Sequence, residues 1–207
     1  MDARRIALYG GTFDPVHLGH VEIARRVLEL FEIEKVLFVP AQVAPHKIGR
    51  RVTEPIHRYA MLALATQNDP RLSISTFELD APDRRYTVNT VEHFQRVMGS
   101  SAELFFIMGA DSWSEITTWR EWERLLTIIN HIVVTRPGHE IDQTLPAPNA
   151  RVLFTDAVLK DISATDIRRI AAEGRFDELA RLVPAPVAEY IKKYEIYRDT
   201  NETKLNS

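Results

Sequence analysis

Apolar strand-like runs alternate with helix-like segments along this chain of 207 residues, and this alternation constrains the fold more than any other feature. Residues 35–39 (KVLFV) and 103–108 (ELFFIM) are apolar almost throughout, as strands covered on both faces are. Between such runs lie segments with helical spacing of apolar residues, for example 18–31. Strands that alternate with helices are typical of a parallel sheet with helical crossovers. The sequence therefore predicts an α/β fold: a doubly wound parallel sheet in a single domain over 1–197, with small C-terminal helices and a polar tail over 198–207.

The same patterns place the remaining elements. Further strands are predicted at 6–9, 72–79, 131–135 and 152–155. Further helices are predicted at 53–68, 87–97, 165–172, 176–182 and 186–194, with one or two short helices at 111–126. Residues 163–166 (SATD) resemble a capping box, which makes Ser163 the expected N-cap of helix 165–172.

A glycine-rich loop follows the first predicted strand and reads GGTFDPVHLGH over residues 10–20. A strand that runs through a glycine turn into a helix presents backbone N–H groups and the positive end of a helix dipole to an anion. His17 and His20 add side-chain donors, and the G-x-G-x-x-G pattern of an ordinary dinucleotide fingerprint is absent. The loop therefore predicts phosphate recognition by these two histidines and by the residues before them, Gly10, Gly11, Thr12, Phe13 and Asp14.

Polar segments also follow the other predicted strands. In an open parallel sheet, ligands bind outside the carboxyl ends of the strands, near the point where the strand order reverses. The segments in question are Pro45-His46-Lys47, Tyr86-Thr87, Gly109-Ala110-Asp111, Arg136 and 163–168. Because these ends meet at one edge of the sheet, we expect the segments to form one site there.

The composition excludes several classes of function. A net charge of −3 and a pI near 6.2 argue against broad nucleic-acid binding, which needs a basic face. Without cysteine, no disulfide, thiolate nucleophile or cysteine zinc site can form. No apolar run approaches 18 residues and no signal-peptide pattern is present, so no membrane partner is expected and a cytoplasmic location is predicted. His17 and His20 have no third ligand in a fitting position, so no protein-held metal site is predicted.

Six motifs occur together and in order: GGTFDPVHLGH at 10–20, APHK at 44–47, RYTVNT at 85–90, MGADSW at 108–113 with Trp119, TRPG at 135–138 and ISATDIR at 162–168. Together they resemble the bacterial nicotinate-nucleotide adenylyltransferases over roughly residues 4–195. The first and last motifs are shared across the nucleotidyltransferase superfamily, and the middle ones select this family over its shorter relatives. Ala44, Asn89 and Ala164 depart from the usual proline, aspartate and serine of the family.

The resemblance implies a Rossmann-like nucleotidyltransferase fold and a reaction of ATP with nicotinate mononucleotide that yields nicotinate adenine dinucleotide and pyrophosphate, in NAD biosynthesis. It implies that phosphate charge is neutralised by His17, His20, Lys47 and Arg168. It assigns ATP and its ribose to residues 10–14 with Gly109, Asp111, Ser163 and Thr165. It assigns nicotinate mononucleotide to Tyr86, Thr87, Trp119 and Arg136, with Trp119 stacked on the pyridine ring. Mg²⁺ is expected to bridge ATP oxygens, held mostly by substrate and water.

The start of helix 87–97 indicates which acceptor is preferred. If Thr87 is the N-cap, the next N–H groups point outward with the positive dipole end behind them. A ring carboxylate can accept two such bonds, whereas a carboxamide offers one acceptor oxygen and an NH₂ without a partner. We therefore expect preference for the acid over the amide.

Three alternatives stay open at this point. The first is transfer to nicotinamide mononucleotide or another phosphorylated acceptor. The second is a nucleotide-binding module without turnover, which the presence of both His17 and His20 disfavours. The third is a fragment related to class I aminoacyl-tRNA synthetases, which the acidic charge disfavours. The sequence also leaves self-association open.

Overall fold

The fold is known from a computed structural model that describes residues 4–42, 52–81, 86–135, 149–156 and 162–198. The described strands are β1 (Arg4–Gly11), β2 (Lys35–Pro40), β3 (Leu72–Ile74), β4 (Ala102–Gly109), β5 (Asn130–Val134) and β6 (Val152–Thr155). They form one sheet in the order β3-β2-β1-β4-β5-β6, and every described pair of neighbours is parallel. The chain order reverses between β1 and β4, which are neighbours in the sheet. The predicted doubly wound parallel sheet is confirmed.

Helices cover both faces of this sheet. They are α1 (Leu18–Leu30), α2 (Pro55–Thr66), α3 (Thr87–Met98), α4 (Ala110–Ser114), α5 (Trp122–Ile128), α6 (Ala164–Ala172), α7 (Phe176–Leu179) and α8 (Ala185–Lys193). Two 3₁₀ turns, Gly99–Ser101 and Ile116–Thr118, lie between them. None of the described helices is long and apolar enough to span a membrane.

The core consists of two apolar clusters, one on each face of the sheet. Successive strand residues alternate between them, so that Ala7 and Phe105 join one cluster while Leu8 and Phe106 join the other. The first cluster includes buried residues of α1, α2, α6 and α8, and the second includes buried residues of α3, α4 and α5. Burial on both faces explains why the central strands are continuous apolar runs.

The predicted strand 72–79 is wrong beyond Ile74. Ser75 N–H still donates to Phe38 O at 2.8 Å, but the Ser75 hydroxyl accepts from Phe77 N–H at 3.1 Å and turns the chain. The apolar alternation continues past the strand because Phe77 packs against the core cluster on the α3 face. A local side-chain bond therefore ends β3 where hydrophobic periodicity alone predicts continuation.

Other boundaries also differ from prediction, among them that of the helix predicted over 176–182, which ends at Leu179. The segment predicted as one or two helices at 111–126 contains α4, a 3₁₀ turn and α5, with Glu121 in the left-handed region at φ 53° between the last two. The helix predicted over 53–68 ends at Thr66, whose hydroxyl donates to Leu62 O at 2.9 Å. Of the predicted tail, only Arg198 lies within the described residues.

Candidate active site

The carboxyl ends of the described strands share one edge of the sheet, because all described pairings are parallel. The loop after β1 begins at Thr12, and α4 begins directly after Gly109 at the end of β4. Since β1 and β4 flank the reversal of strand order, these two segments border the crevice in which such sheets bind ligands. The structure therefore brings the glycine-rich loop and the Gly109-Ala110-Asp111 segment to the expected place.

The two histidines of the loop form a stacked pair at the start of α1. His17 is the N-cap in an extended conformation, and the His17 N–H donates to His20 Nδ1 at 3.3 Å. The ring centroids are 3.7 Å apart, and the planes lie within 29° of parallel. With Nδ1 accepting, the proton of a neutral His20 ring lies on Nε2, which makes this atom a donor. The pair thus supplies imidazole donors at a helix N-terminus, where an anion is favoured.

One of the first N–H groups of α1 is already engaged. Leu18 N–H donates to Leu182 O at 3.0 Å, so it is not available to a phosphate. This contact instead ties the start of α1 to the turn between α7 and α8.

The loop rests on tightly packed aromatic rings. Phe13 is 2% exposed, adopts φ 50°, and packs edge-on against Tyr9 and Phe38 with centroids 5.5 and 5.4 Å apart. A Cβ at Gly11 would lie 2.8 Å from the Phe13 ring, and one at Gly10 would lie 2.9 Å from Phe106. Both glycines are therefore required by the rings beneath the loop, and the Phe13 ring shapes the loop from the core.

Gly109 differs from these two glycines. A Cβ at Gly109 would meet no described atom within 4 Å, so no close contact within the described protein explains this glycine. Gly109 is the N-cap of α4, and the exposed Asp111 lies in its first turn. Asp111 is thus placed at the crevice edge, where a group that accepts from a ribose hydroxyl is expected.

Asp14 holds the loop to three other parts of the chain. Its side chain is 4% exposed; Oδ1 accepts from the Tyr197 hydroxyl at 2.8 Å, and Oδ2 accepts from Thr53 N–H at 3.1 Å. Its backbone carbonyl accepts from Arg168 Nη1 at 2.7 Å. Both carboxylate oxygens thus already have donors inside the protein, which gives Asp14 a role in holding the loop, while its contact with the nucleotide stays a prediction.

Arg168 connects the last motif to the first. Besides Asp14 O, its guanidinium contacts the Thr165 hydroxyl from Nη2 at 3.0 Å. Ser163 is the N-cap of α6, and its hydroxyl accepts from Asp166 N–H at 3.4 Å. The carboxylate of Asp166 pairs with Arg169 at 3.4 Å. Of the two bonds of the predicted capping box, the structure therefore contains the one from Asp166 N–H to the Ser163 hydroxyl.

The start of α3 differs in detail from prediction. Tyr86, not Thr87, is the N-cap, because Tyr86 O accepts from the N–H groups of Asn89 and Thr90 and thereby closes the first turn. Thr87 is the first helical residue, and the first turn carries no acidic side chain. The Arg120 guanidinium lies 4.8 Å from the centroid of the Tyr86 ring. A helix N-terminus and a cation therefore lie together beside Tyr86.

Trp119 directly precedes Arg120 in the sequence. Its ring packs edge-on against Phe106 with centroids 6.4 Å apart, and its indole Nε1 is buried without a partner among the described residues. Trp119 is partly buried, whereas Trp113 is 2% exposed and belongs to the core. A side chain that joins the core through one edge can still offer another part of its ring to a ligand.

Arg58 is a buried charge that sequence reasoning missed. Its side chain is fully buried, and burial lowers the pKa of its guanidinium while the charge of Asp14 opposes that shift. It donates to four backbone carbonyl oxygens at 2.7–3.0 Å, those of Thr12, Ala41, Gln42 and Thr53. A signal was present, since Arg58 precedes the buried Met61 and Leu62 by three and four residues and so lies on the apolar stripe of its helix.

Two predicted site residues, Lys47 and Arg136, lie outside the described residues, as does Arg85. Among the residues that the structure describes, no group of three or more histidines and carboxylates could hold a metal ion.

Comparisons with known proteins define the class and then the family. A family model described as Cytidylyltransferase-like matches residues 8–170, which makes the chain a member of this nucleotidyltransferase class. A protein of Thermoanaerobacter sp. (strain X514) named "Probable nicotinate-nucleotide adenylyltransferase" is 41% identical over 96% of both chains. One of the same name from Thermus thermophilus is 42% identical over 94% of this chain and 100% of the relative. The chain belongs to the nicotinate-nucleotide adenylyltransferase family.

Solved structures agree on the fold. The nicotinic acid mononucleotide adenylyltransferase of Plasmodium falciparum, complexed with NaAD, superposes with a TM-score of 0.79 over 94% of this chain and 97% of that chain. At 19% identity this likeness shows the fold alone. The resemblance predicted from the six motifs is confirmed by the full-length relatives.

Proposed function

We propose that this chain transfers the adenylyl group of ATP to nicotinate mononucleotide, giving nicotinate adenine dinucleotide and pyrophosphate, a step of NAD biosynthesis. The observation that carries the proposal is the stacked pair of His17 and His20 at the N-terminus of α1, joined through Asp14 to Arg168. Family membership supports the same activity. A cytoplasmic location stays a prediction, and self-association stays open.

The reaction demands charge neutralisation more than covalent chemistry. An oxygen of the mononucleotide 5′-phosphate attacks the α-phosphorus of ATP, the new P–O bond forms, and the bond to the β-phosphate breaks as pyrophosphate leaves. The attacking oxygen is already anionic, so no general base is required. The obstacle is repulsion between two polyanions, and donors fixed in advance lower that barrier most effectively.

His17, His20 and Arg168 are proposed to supply these donors. A guanidinium has five N–H donors, and the described contacts of Arg168 to Asp14 and Thr165 leave others for phosphate oxygens. Lys47 is proposed to add a further cation. Gly10, Gly11 and Thr12 are proposed to border the triphosphate, while Gly109, Asp111, Ser163 and Thr165 contact ATP and its ribose.

The acceptor site is proposed to lie between Trp119 and the start of α3. Trp119 stacks on the pyridine ring, Tyr86 frames it, and Arg136 contacts the same substrate. The N–H groups that follow Tyr86 favour a carboxylate because the first turn of α3 carries no acidic residue. The positive charge of Arg120 over Tyr86 adds to this preference.

We expect Mg²⁺ to arrive with ATP, with triphosphate oxygens and water as its main ligands. When bound, it neutralises part of the triphosphate charge. The described residues do not form a cage for the ion, because the buried Asp14 carboxylate is already occupied by two donors. The positioning of the two substrates is therefore left to the side chains named above.

The test is an assay of the purified chain with ATP, Mg²⁺ and, in turn, nicotinate mononucleotide, nicotinamide mononucleotide and phosphopantetheine. Pyrophosphate release is followed, and the dinucleotide is identified by chromatography. We expect kcat/KM to be at least about 10²-fold higher for the acid than for the amide, because the amide leaves a buried donor unpaired. A ratio near one would remove the helix-terminus explanation, and no product from any acceptor would refute the proposed function.

A matched pair of variants connects the activity to the site. His20→Ala removes one ring of the stacked pair, whereas His93→Ala removes a ring of α3 that stacks on Phe77, at 3.7 Å between centroids. We expect the first to abolish most turnover and the second to retain it. Equal loss in both would assign the effect to stability rather than to phosphate binding.

A further inference from the structure

The turn over residues 194–198, called the C-terminal turn below, reaches back to the glycine-rich loop of residues 10–20, called the phosphate loop after its proposed role. After α8, Ile196 is buried, and the Tyr197 hydroxyl donates to Asp14 Oδ1 across 183 residues of sequence. Burial, with the neighbouring Asp14 carboxylate, raises the pKa of Tyr197 well above its usual range, so the hydroxyl stays protonated and remains a donor. Tyr197 lies outside every motif of the family resemblance, whereas its partner Asp14 lies in the first of them.

The backbone of this turn is held in an unfavourable conformation. Glu195 and Tyr197 have φ values of 51° and 77°, in the left-handed region that residues with a Cβ rarely adopt. Conformations of this kind persist where the surrounding contacts determine them. The bond to Asp14 and the burial of Ile196 are the contacts that fix this turn.

Asp14 transmits the position of the turn to the histidine pair. It lies three residues before His17, and the two intervening residues, Pro15 and Val16, are buried. The other carboxylate oxygen of Asp14 accepts from Thr53 N–H, just before α2. The same carboxylate therefore fixes the loop of His17 relative to both the C-terminal turn and the start of α2.

Arg58 adds a second set of contacts that hold the same loop. It donates to Thr12 O in the phosphate loop and to the backbone on both sides of residues 43–51, through Ala41 and Gln42 before that segment and Thr53 after it. Lys47 lies in that segment. Arg58 and Asp14 thus hold the loop that carries His17 and the two ends of the segment that carries Lys47 in one fixed arrangement.

We propose that Tyr197 and Arg58 are positioning residues for the transfer reaction, which act through Asp14 and through the loop carbonyls rather than by touching substrate. This inference rests on the proposed function. A displacement of about 1 Å at the reacting groups costs roughly 10²-fold in rate. Loss of one hydroxyl that holds the loop should cost less, about tenfold in kcat, with both KM values changed less than about threefold.

The test compares Tyr197→Phe with Tyr190→Phe. Both variants keep the ring and remove one hydroxyl from the C-terminal part of the chain, and the Tyr190 hydroxyl bonds His57 Nδ1 at 2.9 Å. Hydrogen exchange of residues 12–20 is measured without nucleotide, and kcat and both KM values are measured with it. We expect faster exchange of residues 12–20 and the loss of kcat in Tyr197→Phe, with neither change in Tyr190→Phe.

Each outcome decides the matter. Unchanged exchange of residues 12–20 or unchanged kcat in Tyr197→Phe would overturn the proposal, as would equal effects in the two variants. If Tyr197→Phe does not fold, Asp14→Asn replaces it: the two donors bind different oxygens of Asp14, so the NH₂ group of asparagine would face one of them and the same loosening is expected. If the parent chain forms no dinucleotide, the proposed function fails by itself, while the exchange comparison still tests whether Tyr197 holds the loop.

Discussion

Substitution of Arg58 by methionine tests how strongly this buried cation holds the site. The change keeps a long apolar stem in a fully buried place and removes donors to four carbonyl oxygens. Buried ion pairs can often be replaced by apolar residues without loss, but here the partners are backbone carbonyls. These carbonyls stay in place and lose their donor, so we expect the substitution to destabilise the fold.

The expected loss in the free energy of unfolding follows from the number of hydrogen bonds that Arg58 makes. Four hydrogen bonds at about 1 kcal/mol each give roughly 4 kcal/mol, and relief of the desolvation cost of the cation offsets about 1 kcal/mol of it. A loss of about 3 kcal/mol in a domain of this size lowers the unfolding midpoint by roughly 6–12 °C. We also expect kcat to fall, because the loop of His17 loses its bond from Thr12 O to Arg58 in α2.

Thermal unfolding followed by circular dichroism measures this loss, with Arg71→Met as the matched control. Arg71 is an exposed arginine whose side chain bonds only Asp69 among the described residues, at 3.0 Å through both Nε and Nη2. One ion pair made by an exposed arginine contributes less than four buried hydrogen bonds, so the control should unfold closer to the parent than Arg58→Met does. If Arg58→Met and Arg71→Met unfold at the same temperature, the four carbonyl contacts do not contribute as argued.

Three further predictions concern the donors, the acceptor site and a buried histidine. His17→Ala and His20→Ala should each lower kcat by about 10²–10³ while ATP affinity changes less, and turnover within about threefold of the parent would contradict the phosphate role. Trp119→Ala should raise KM for the mononucleotide and leave that for ATP nearly unchanged; equal loss of both affinities with a lower unfolding midpoint would show that Trp119 mainly packs on Phe106. Burial lowers the pKa of His131 to about 4 in the folded chain. As the pH falls below about 6.5, the unfolded chain binds a proton at His131 before the folded chain does, so stability is lost between about pH 6.5 and pH 4. The parent should lose about 2 kcal/mol more than His131→Leu between pH 7.5 and pH 5 in urea unfolding, and parallel curves would contradict this.

Structural features that depend on the spacing of neighbouring residues could be predicted from the sequence. The ends of the apolar runs at 35–39 and 103–108 agree with those of β2 and β4 to within one or two residues. These strands could be found because burial on both faces leaves no polar break inside a strand. The local structure of residues 10–20 could be predicted because a strand, a glycine turn and a helix start are contiguous in sequence, while their contact with phosphate stays a prediction. By contrast, the strand predicted to Leu79 ends at Ile74, where a serine side chain competes for a backbone N–H.

Contacts between distant parts of the chain could not be predicted in this way. The bond between Tyr197 and Asp14 joins residues 183 positions apart, and that between Arg168 and Asp14 joins residues 154 apart. Arg58 is an intermediate case. Its place on an apolar helix stripe indicates burial, but the four carbonyl partners come from three separate segments that only the folded chain brings together.

The phosphate loop is held by packing and hydrogen bonds rather than left free by its glycines. Gly10 and Gly11 are required because Phe106 and Phe13 fill the space where a Cβ would lie, and this contact makes the loop part of the core. Adenylyl transfer leaves little covalent work to the protein, so its rate depends on donors that are already in position when the two anions meet. A loop fixed by the core beneath it and by Arg58 and Tyr197 around it meets that demand. Substitutions far from the histidines can therefore lower turnover while leaving every group that touches substrate intact.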